Sequence, residues 1–287
     1  MWTTGSTERL FCSKLTALYH GMLLLFFASS FPRVCLCFVK DTNLSGLFAR
    51  EMSASLSRNV HLYQQGLQGQ RLPLIAVVRE VGLDRAVDFA LAASDAGFKM
   101  ISVTVDSPEY PRVLNAMAEA VGKRTGDRLM FGVSSATSRH QVDTAFEAGA
   151  SFVSTKELCT PVATRTKELG LISISGVSSP SMATEAIRYG ADILKAFPAT
   201  NMSDICLKYI VEASVPCGVP VIAAGGVEIE DLERYAKLGF SGFALGKTLF
   251  RPEYSLGDVR NKSRRFVIEA TRSIGRAGPP SRPKYRL

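Results

Sequence analysis

From Leu72 onward the chain alternates between short apolar runs and longer stretches in which apolar residues recur at helical spacing. The runs are Leu72–Val78, Met100–Val105, Leu129–Val133, Ser151–Ser154, Leu171–Ser175, Ile193–Phe197, Val219–Ala223 and Gly242–Leu245, and they begin 20 to 29 residues apart. Their length and β-branched content predict buried strands. Between them, sets such as Asp84, Val87 and Leu91, or Leu232, Tyr235 and Leu238, keep the period of an amphipathic helix. Five of these stretches end at a glycine, Gly97, Gly149, Gly170, Gly190 or Gly239, where a left-handed residue closes a helix. Eight strand–helix units with no hairpin signal between strands predict an α/β fold, a (β/α)8 TIM barrel. A doubly wound open sheet is the competing architecture, and the absence of GxGxxG after the first run argues against it.

In a barrel the chemistry gathers at the C-terminal ends of the strands. Those ends carry Arg79; Ser102, Thr104 and Asp106; Ser134 and Ser135; Thr155 and Lys156; Ser175 and Gly176; Lys195; Ala224 to Gly226; and Gly246 to Thr248. Loop polarity accounts for many of these singly. Lys195 stands apart, because it lies in the middle of an apolar strand, DILKAFPA from Asp192 to Ala199. Alternation puts it with Ile193 and Phe197 on one face, and Leu194 and Ala196 on the other. The lysine has two readings: the side chain snorkels to water, or it is buried, loses its proton readily and forms a Schiff base with a carbonyl. The segment alone leaves both open.

The last two strands end in glycine-rich turns, Ala224 to Val227 and Gly246 to Leu249, each expected to open a helix. Glycines in such positions let backbone N–H groups approach an anion, which predicts a phosphate site from Gly225, Gly226, Gly246, Lys247 and Thr248.

Composition changes the picture at the ends. The 287 residues carry a formal charge of +8, but residues 1–60 hold six Lys/Arg against three acids and residues 275–287 hold four against none. The middle is nearly neutral, so a basic nucleic-acid surface is not expected of the body. Six cysteines form no CxxC, and with only His20, His61 and His140 no zinc spacing arises. No metal or other cofactor is expected.

Residues 1–60 read as a targeting presequence, 61–274 as the barrel and 275–287 as a basic, disordered tail. In the presequence Lys14 precedes an apolar run from Leu15 to Phe31, too short for a comfortable membrane span and ending in the small residues Ala28 to Ser30. Arg33, Lys40, Arg50 and Arg58 with scattered Ser/Thr come next, as in a transit peptide. Signal-like and transit-like halves in this order resemble the bipartite presequence of proteins sent to plastids of secondary endosymbiotic origin, with Ala28 to Phe31 as its cleavage motif. The expectation is a plastid protein with no membrane segment in its mature form. A secretory signal, a signal anchor, and a cytoplasmic protein with a wrongly assigned start are the alternatives.

The segments LPLIAVVR (Leu72–Arg79), VDSP (Val105–Pro108), EAGA (Glu147–Ala150), LKAFPA (Leu194–Ala199), AGGV (Ala224–Val227), GFALG (Gly242–Gly246) and LFRP (Leu249–Pro252) resemble the class I aldolases that cleave 2-keto-3-deoxy-6-phosphogluconate, above all the branch acting on the galactonate epimer. The resemblance runs from about Leu72 to Val267. It implies that Lys195 attacks the ketone of a phosphorylated 2-keto acid, that the imine acts as electron sink, and that pyruvate and glyceraldehyde 3-phosphate leave. It implies phosphate ligands at Gly225, Gly226, Gly246 and Thr248, no metal or other cofactor, and, by analogy, a homotrimer.

Departures accompany the match. The family's general-base glutamate falls at Ser102, its carboxylate-binding arginine at Asp106, a threonine at Ser135, a proline at Lys156 and a polar residue at Ala224. Substitutes are available: Asp106, on the same face as Ser102 and Thr104, acting through water, and Lys156 or Arg79 holding the carboxylate. Asp106 also reads as a plain turn residue before Pro108. The competing function is a degenerate barrel that binds a phosphorylated ligand or a partner without turnover.

Overall fold

The structure, a computed structural model, describes residues 73–79, 82–106, 109–125, 129–251 and 253–278. The expected presequence lies outside the described residues, as does the tail beyond residue 278. Eight strands alternate with eight α-helices: β1 (Leu74–Val78), α1 (Leu83–Ala96), β2 (Met100–Thr104), α2 (Tyr110–Thr125), β3 (Met130–Ser134), α3 (Arg139–Glu147), β4 (Phe152–Ser154), α4 (Thr160–Glu168), β5 (Ile172–Val177), α5 (Pro180–Arg188), β6 (Ile193–Ala196), α6 (Asp204–Ser214), β7 (Val221–Ala224), α7 (Leu232–Lys237), β8 (Gly242–Leu245) and α8 (Leu256–Ala277). Every expected strand is present, with its ends within two residues of those read from the apolar runs.

All neighbours pair in parallel, and β8 returns to β1 through Leu74–Phe243, Ile75–Ala244 and Ala76–Leu245, so the sheet is a closed barrel rather than an open one. Alternation along each strand sorts the core into two shells. Ile75, Met100, Met130, Phe152, Ile172, Ile174, Ile193 and Ile222 fill the barrel interior. Leu74, Ile101, Val133, Val153, Leu194 and Ala223 face the surrounding helices. Phe152 needs its neighbour on β3 to be glycine, since a Cβ at Gly132 would stand 2.6 Å from its ring.

The helices end as the sequence predicts. Gly97, Gly149, Gly170, Gly190 and Gly239 all have positive φ, between 69° and 108°, which an L side chain resists. Serines at 138, 179, 203 and 255 cap the starts of α3, α5, α6 and α8 by accepting from a backbone N–H of the first turn. The last helix is longer than expected. It runs through Gly275 to Ala277 and stops at Gly278, φ 72°, so the first residues of the expected tail are helical.

The barrel interior is graded. Its lower half is the apolar packing above, and toward the C-terminal strand ends it becomes polar, with Ser102, Thr104, Ser134, Ser154 and Lys195 all buried. A polar upper layer of this kind is where a ligand meets the fold.

Candidate active site

Strand β6 delivers Lys195 to the interior with Ile193 and Phe197, while Leu194 and Ala196 join the outer shell. Lys195 is 6% exposed, which excludes the snorkelling reading. Burial, then the charge of Lys156, then that of Arg79 lower its pKa from 10.5 to about 7. Near neutrality a large share of this amine is therefore unprotonated and nucleophilic. Its Nζ lies 2.7 Å from Ser154 Oγ and 5.7 Å from the centre of the Phe197 ring.

Ser154 is on β4, two strands from β6. The strand between them, β5, presents Gly176 as the register partner of Lys195. The lysine side chain crosses β5 to reach the serine. Gly176 has a second consequence, because a Cβ on it would lie 2.2 Å from the Lys156 carbonyl group. The end of β4 thus folds inward over Gly176 and carries Lys156 to the barrel mouth.

Above Lys195 opens a cavity of about 660 Å³, the size of a site for a small metabolite. Its wall includes Arg79, Ser134, Ser135, Lys156, Ala224 and the two glycine turns. Arg79 Nη1 is 2.5 Å from Asp106 Oδ2, and Arg79 Nη2 donates to Ser135 Oγ at 3.3 Å. Ser135 holds φ 67°, the sole positive φ at a non-glycine among the described residues. Such a backbone costs roughly 1–3 kcal/mol and concentrates at ligand sites. Lys156 and Lys247 make no ion pair among the described residues, and they stand after β4 and after β8, on opposite sides of the ring.

The glycine turns reach the cavity as expected, but neither opens an α-helix. Gly225 and Gly226 have φ 88° and 78°, which interrupts any helix, and the chain next forms a 3-10 turn at Ile229–Asp231. After β8 the Gly246 carbonyl accepts from Leu249 and Phe250 in one isolated turn, and Pro252 has no N–H with which to continue it. The expected help from a helix dipole is therefore replaced by bare backbone donors. Among the described residues the N–H groups of Gly226, Lys247 and Thr248 donate to no backbone carbonyl. The Thr248 hydroxyl donates to Val227 O at 3.0 Å and so ties the two turns together.

The remaining expected residues are set back from the cavity. Ser102 is fully buried and its Oγ is 2.7 Å from Ser134 Oγ. Thr104 is 1% exposed and its hydroxyl finds no partner among the described residues. Asp106 lies at the rim, held by Arg79, and is not part of the wall. Of the three residues expected to be catalytic, only Lys195 borders the cavity. Conversely, Ser154, Glu228 and Arg251 are contributions that sequence reasoning missed. Ser154 had one signal, its position two residues before Lys156 on the same face of a strand. The Glu228 N–H donates to Asp231 Oδ2 at 3.1 Å, and the Glu228 carboxylate sits 3.5 Å from Thr248 Oγ1. Among the described residues, no group of three or more His, Cys, Asp or Glu is arranged to hold a metal ion.

Comparison with known proteins gives this geometry relatives. The family model for KDPG and KHG aldolases matches residues 68–257. The 2-dehydro-3-deoxy-6-phosphogalactonate aldolase of Escherichia coli strain K12 is 28% identical over 197 residues, 69% of this chain and 94% of that protein. A probable 2-dehydro-3-deoxy-6-phosphogalactonate aldolase of Rhizobium meliloti strain 1021 is 28% identical over 191 residues, 67% of this chain and 88% of the relative. The solved native KDPGal structure superposes with a TM-score of 0.66 at 27% identity, covering 71% of this chain and 97% of that one.

Proposed function

The chain belongs to the KDPG and KHG aldolase family, and on that premise we propose that it cleaves a 6-phosphorylated 2-keto-3-deoxy sugar acid to pyruvate and glyceraldehyde 3-phosphate through a Schiff base on Lys195. The observation that carries this reading is the line-up of three amines across the barrel: Lys156 just beyond β4, Lys195 on β6 and Lys247 beyond β8. The outer two are cations without an ion-pair partner among the described residues, and the middle one is buried with a pKa of about 7. A substrate with a carboxylate beside its ketone and a phosphate at its far end matches that order of charges.

In this reading Lys156 and Arg79 take the carboxylate, Lys195 attacks C2, and the N–H groups of the Gly225–Gly226 and Gly246–Thr248 turns take the phosphate with Lys247. The iminium then draws the electrons of the C3–C4 bond as the C4 hydroxyl loses its proton. Ser102 is buried behind the wall, and Asp106 is engaged by Arg79. The carboxylate among the described residues of the wall is Glu228, at the end where C4 to C6 extend, and the reading gives it the C4 proton.

The test is direct. The purified chain is incubated with the gluconate and galactonate keto acids in turn while pyruvate is measured, and separately with pyruvate and borohydride. Pyruvate release together with a mass adduct on Lys195 supports the aldolase. Protection by ligand with neither product nor adduct would replace it with a non-catalytic binder.

A further inference from the structure

We propose that Ser154 is the proton shuttle of imine formation, a hydroxyl placed against the reacting nitrogen that performs the transfer ordinarily left to a carboxyl group. The inference rests on the Schiff-base reading above and adds to it a residue with a defined step. Three observations lead to it. Ser154 Oγ is the hydrogen-bond partner of Lys195 Nζ, at 2.7 Å. The serine is 2% exposed, so its hydroxyl is shielded from exchange with bulk water on that side. Gly176, the register partner of Lys195 on the intervening β5, carries no side chain, and the backbone of Lys156 and Glu157 occupies the space its Cβ would take. No carboxylate is hydrogen-bonded to Lys195 among the described residues: Asp106 pairs with Arg79, and the Glu228 carboxylate sits beside Thr248.

The step balances without a carboxylate. When the neutral amine attacks the ketone, the C–N bond forms, nitrogen becomes positive with one proton to lose, and the former carbonyl oxygen becomes an alkoxide. Ser154 accepts the nitrogen's proton while donating its own hydroxyl proton to that oxygen. The path N–H–Oγ–H–O–C is a six-membered ring, and serine ends as it began. The product is a neutral carbinolamine. One further proton, from solvent at the mouth, leaves with the oxygen as water and gives the protonated imine. A hydroxyl serves because the task is to relay a proton and not to store one.

The experiment measures the rate of borohydride-trapped adduct formation with pyruvate in the full chain, its Ser154→Ala variant and its Ser154→Thr variant, across pH. Ser154→Ala is expected to slow trapping by ~10²–10⁴-fold, the usual size of a lost proton transfer, while Ser154→Thr restores most of the rate. The deficit of the alanine variant must persist at about pH 9, above the Lys195 pKa of about 7, where the amine is neutral in every variant. A deficit that disappears there would mean that Ser154 only adjusts the amine's charge, and would overturn the proposal. Trapping by Ser154→Ala at the parent rate would overturn it too and leave the aldolase reading standing. Absence of adduct in the parent chain would remove both. Should circular dichroism show that Ser154→Ala does not fold, Ser154→Cys decides: the thiol keeps the size but relays protons poorly, so slow trapping supports the shuttle and an unchanged rate overturns it.

Discussion

Lys195 and Ser154 touch across a strand that belongs to neither. Their 2.7 Å contact passes over β5, where Gly176 is the register partner of Lys195. The same glycine accommodates the Lys156 carbonyl at 2.2 Å from its missing Cβ. Gly176→Ala therefore has to push back the backbone at the end of β4, which no rotamer change can relieve. Overpacking of this kind costs about 1–3 kcal/mol. Urea denaturation is expected to show that loss, and pyruvate trapping to fall with it because Lys156 and Ser154 move together. A variant as stable and as reactive as the parent would show that the β4 end has room to yield.

The amine itself leaves a mark on stability. Burial, followed by the charges of Lys156 and Arg79, lowers the Lys195 pKa from 10.5 to about 7. Between those values the unfolded chain holds a proton that the folded chain does not, so stability rises with pH across that window. In the downward direction, stability is lost from about pH 10.5 to about pH 7 and is level below. Lys195→Met removes this slope. The variant should gain most at pH 7 and below, by up to ~5 kcal/mol, and the gain should vanish near pH 10.5. Denaturation at about pH 6, 8 and 10 reads it, and a constant difference between the two proteins would contradict the buried amine.

Two substitutions should move the same pKa in opposite directions. Lys156→Met removes the larger of the two charges that depress Lys195, so the pH dependence of trapping shifts upward and KM for the keto acid rises. Asp106→Asn takes a negative charge away from Arg79, so the guanidinium bears more strongly on Lys195, and shifts the profile downward. Shifts of the same sign would mean that the wall does not act on Lys195 through charge.

Lys247→Met bears on the far end of the substrate. It should raise KM for the phosphorylated keto acid and weaken inhibition by inorganic phosphate, with kcat little changed, because the phosphate is not altered in the reaction. An equal loss for pyruvate trapping would place Lys247 at the wrong end.

Much of this was legible in the chain because periodicity carries it. The apolar runs located the strands to within two residues, and alternation grouped Lys195 with Ile193 and Phe197, while which of the two apolar faces lies inside the barrel is decided by the closure of the sheet. Ser154 was not legible as a partner. In the three-residue β4 it reads as one small residue among apolar ones, and its partner Lys195 stands two strands away in the ring. The glycine turns were legible as turns, but the loss of the expected helices after them was not, because two consecutive positive φ values and an isolated turn at Gly246 are decided by tertiary fit. Glu228 escaped for the same reason. Only the curl of the β7 turn brings it to the wall.

The two carboxylates near the mouth can be told apart by the step that needs each. Forming an imine with pyruvate requires no C4 hydroxyl, whereas cleaving the six-carbon substrate requires that its proton be removed. If Glu228 takes that proton, Glu228→Gln leaves borohydride trapping of pyruvate at the parent rate and lowers kcat for cleavage by ~10²–10⁴-fold, the span of a lost general base. Asp106→Ala, by contrast, is expected to retain cleavage, because Asp106 lies outside the cavity wall and is occupied by Arg79. The reverse pattern, with cleavage lost in Asp106→Ala and kept in Glu228→Gln, would return the base to the end of β2 and require Arg79 to release it when substrate binds. Loss of trapping in Glu228→Gln would instead show that the carboxylate supports the two glycine turns from beside Thr248, and its thermal melt would fall with it.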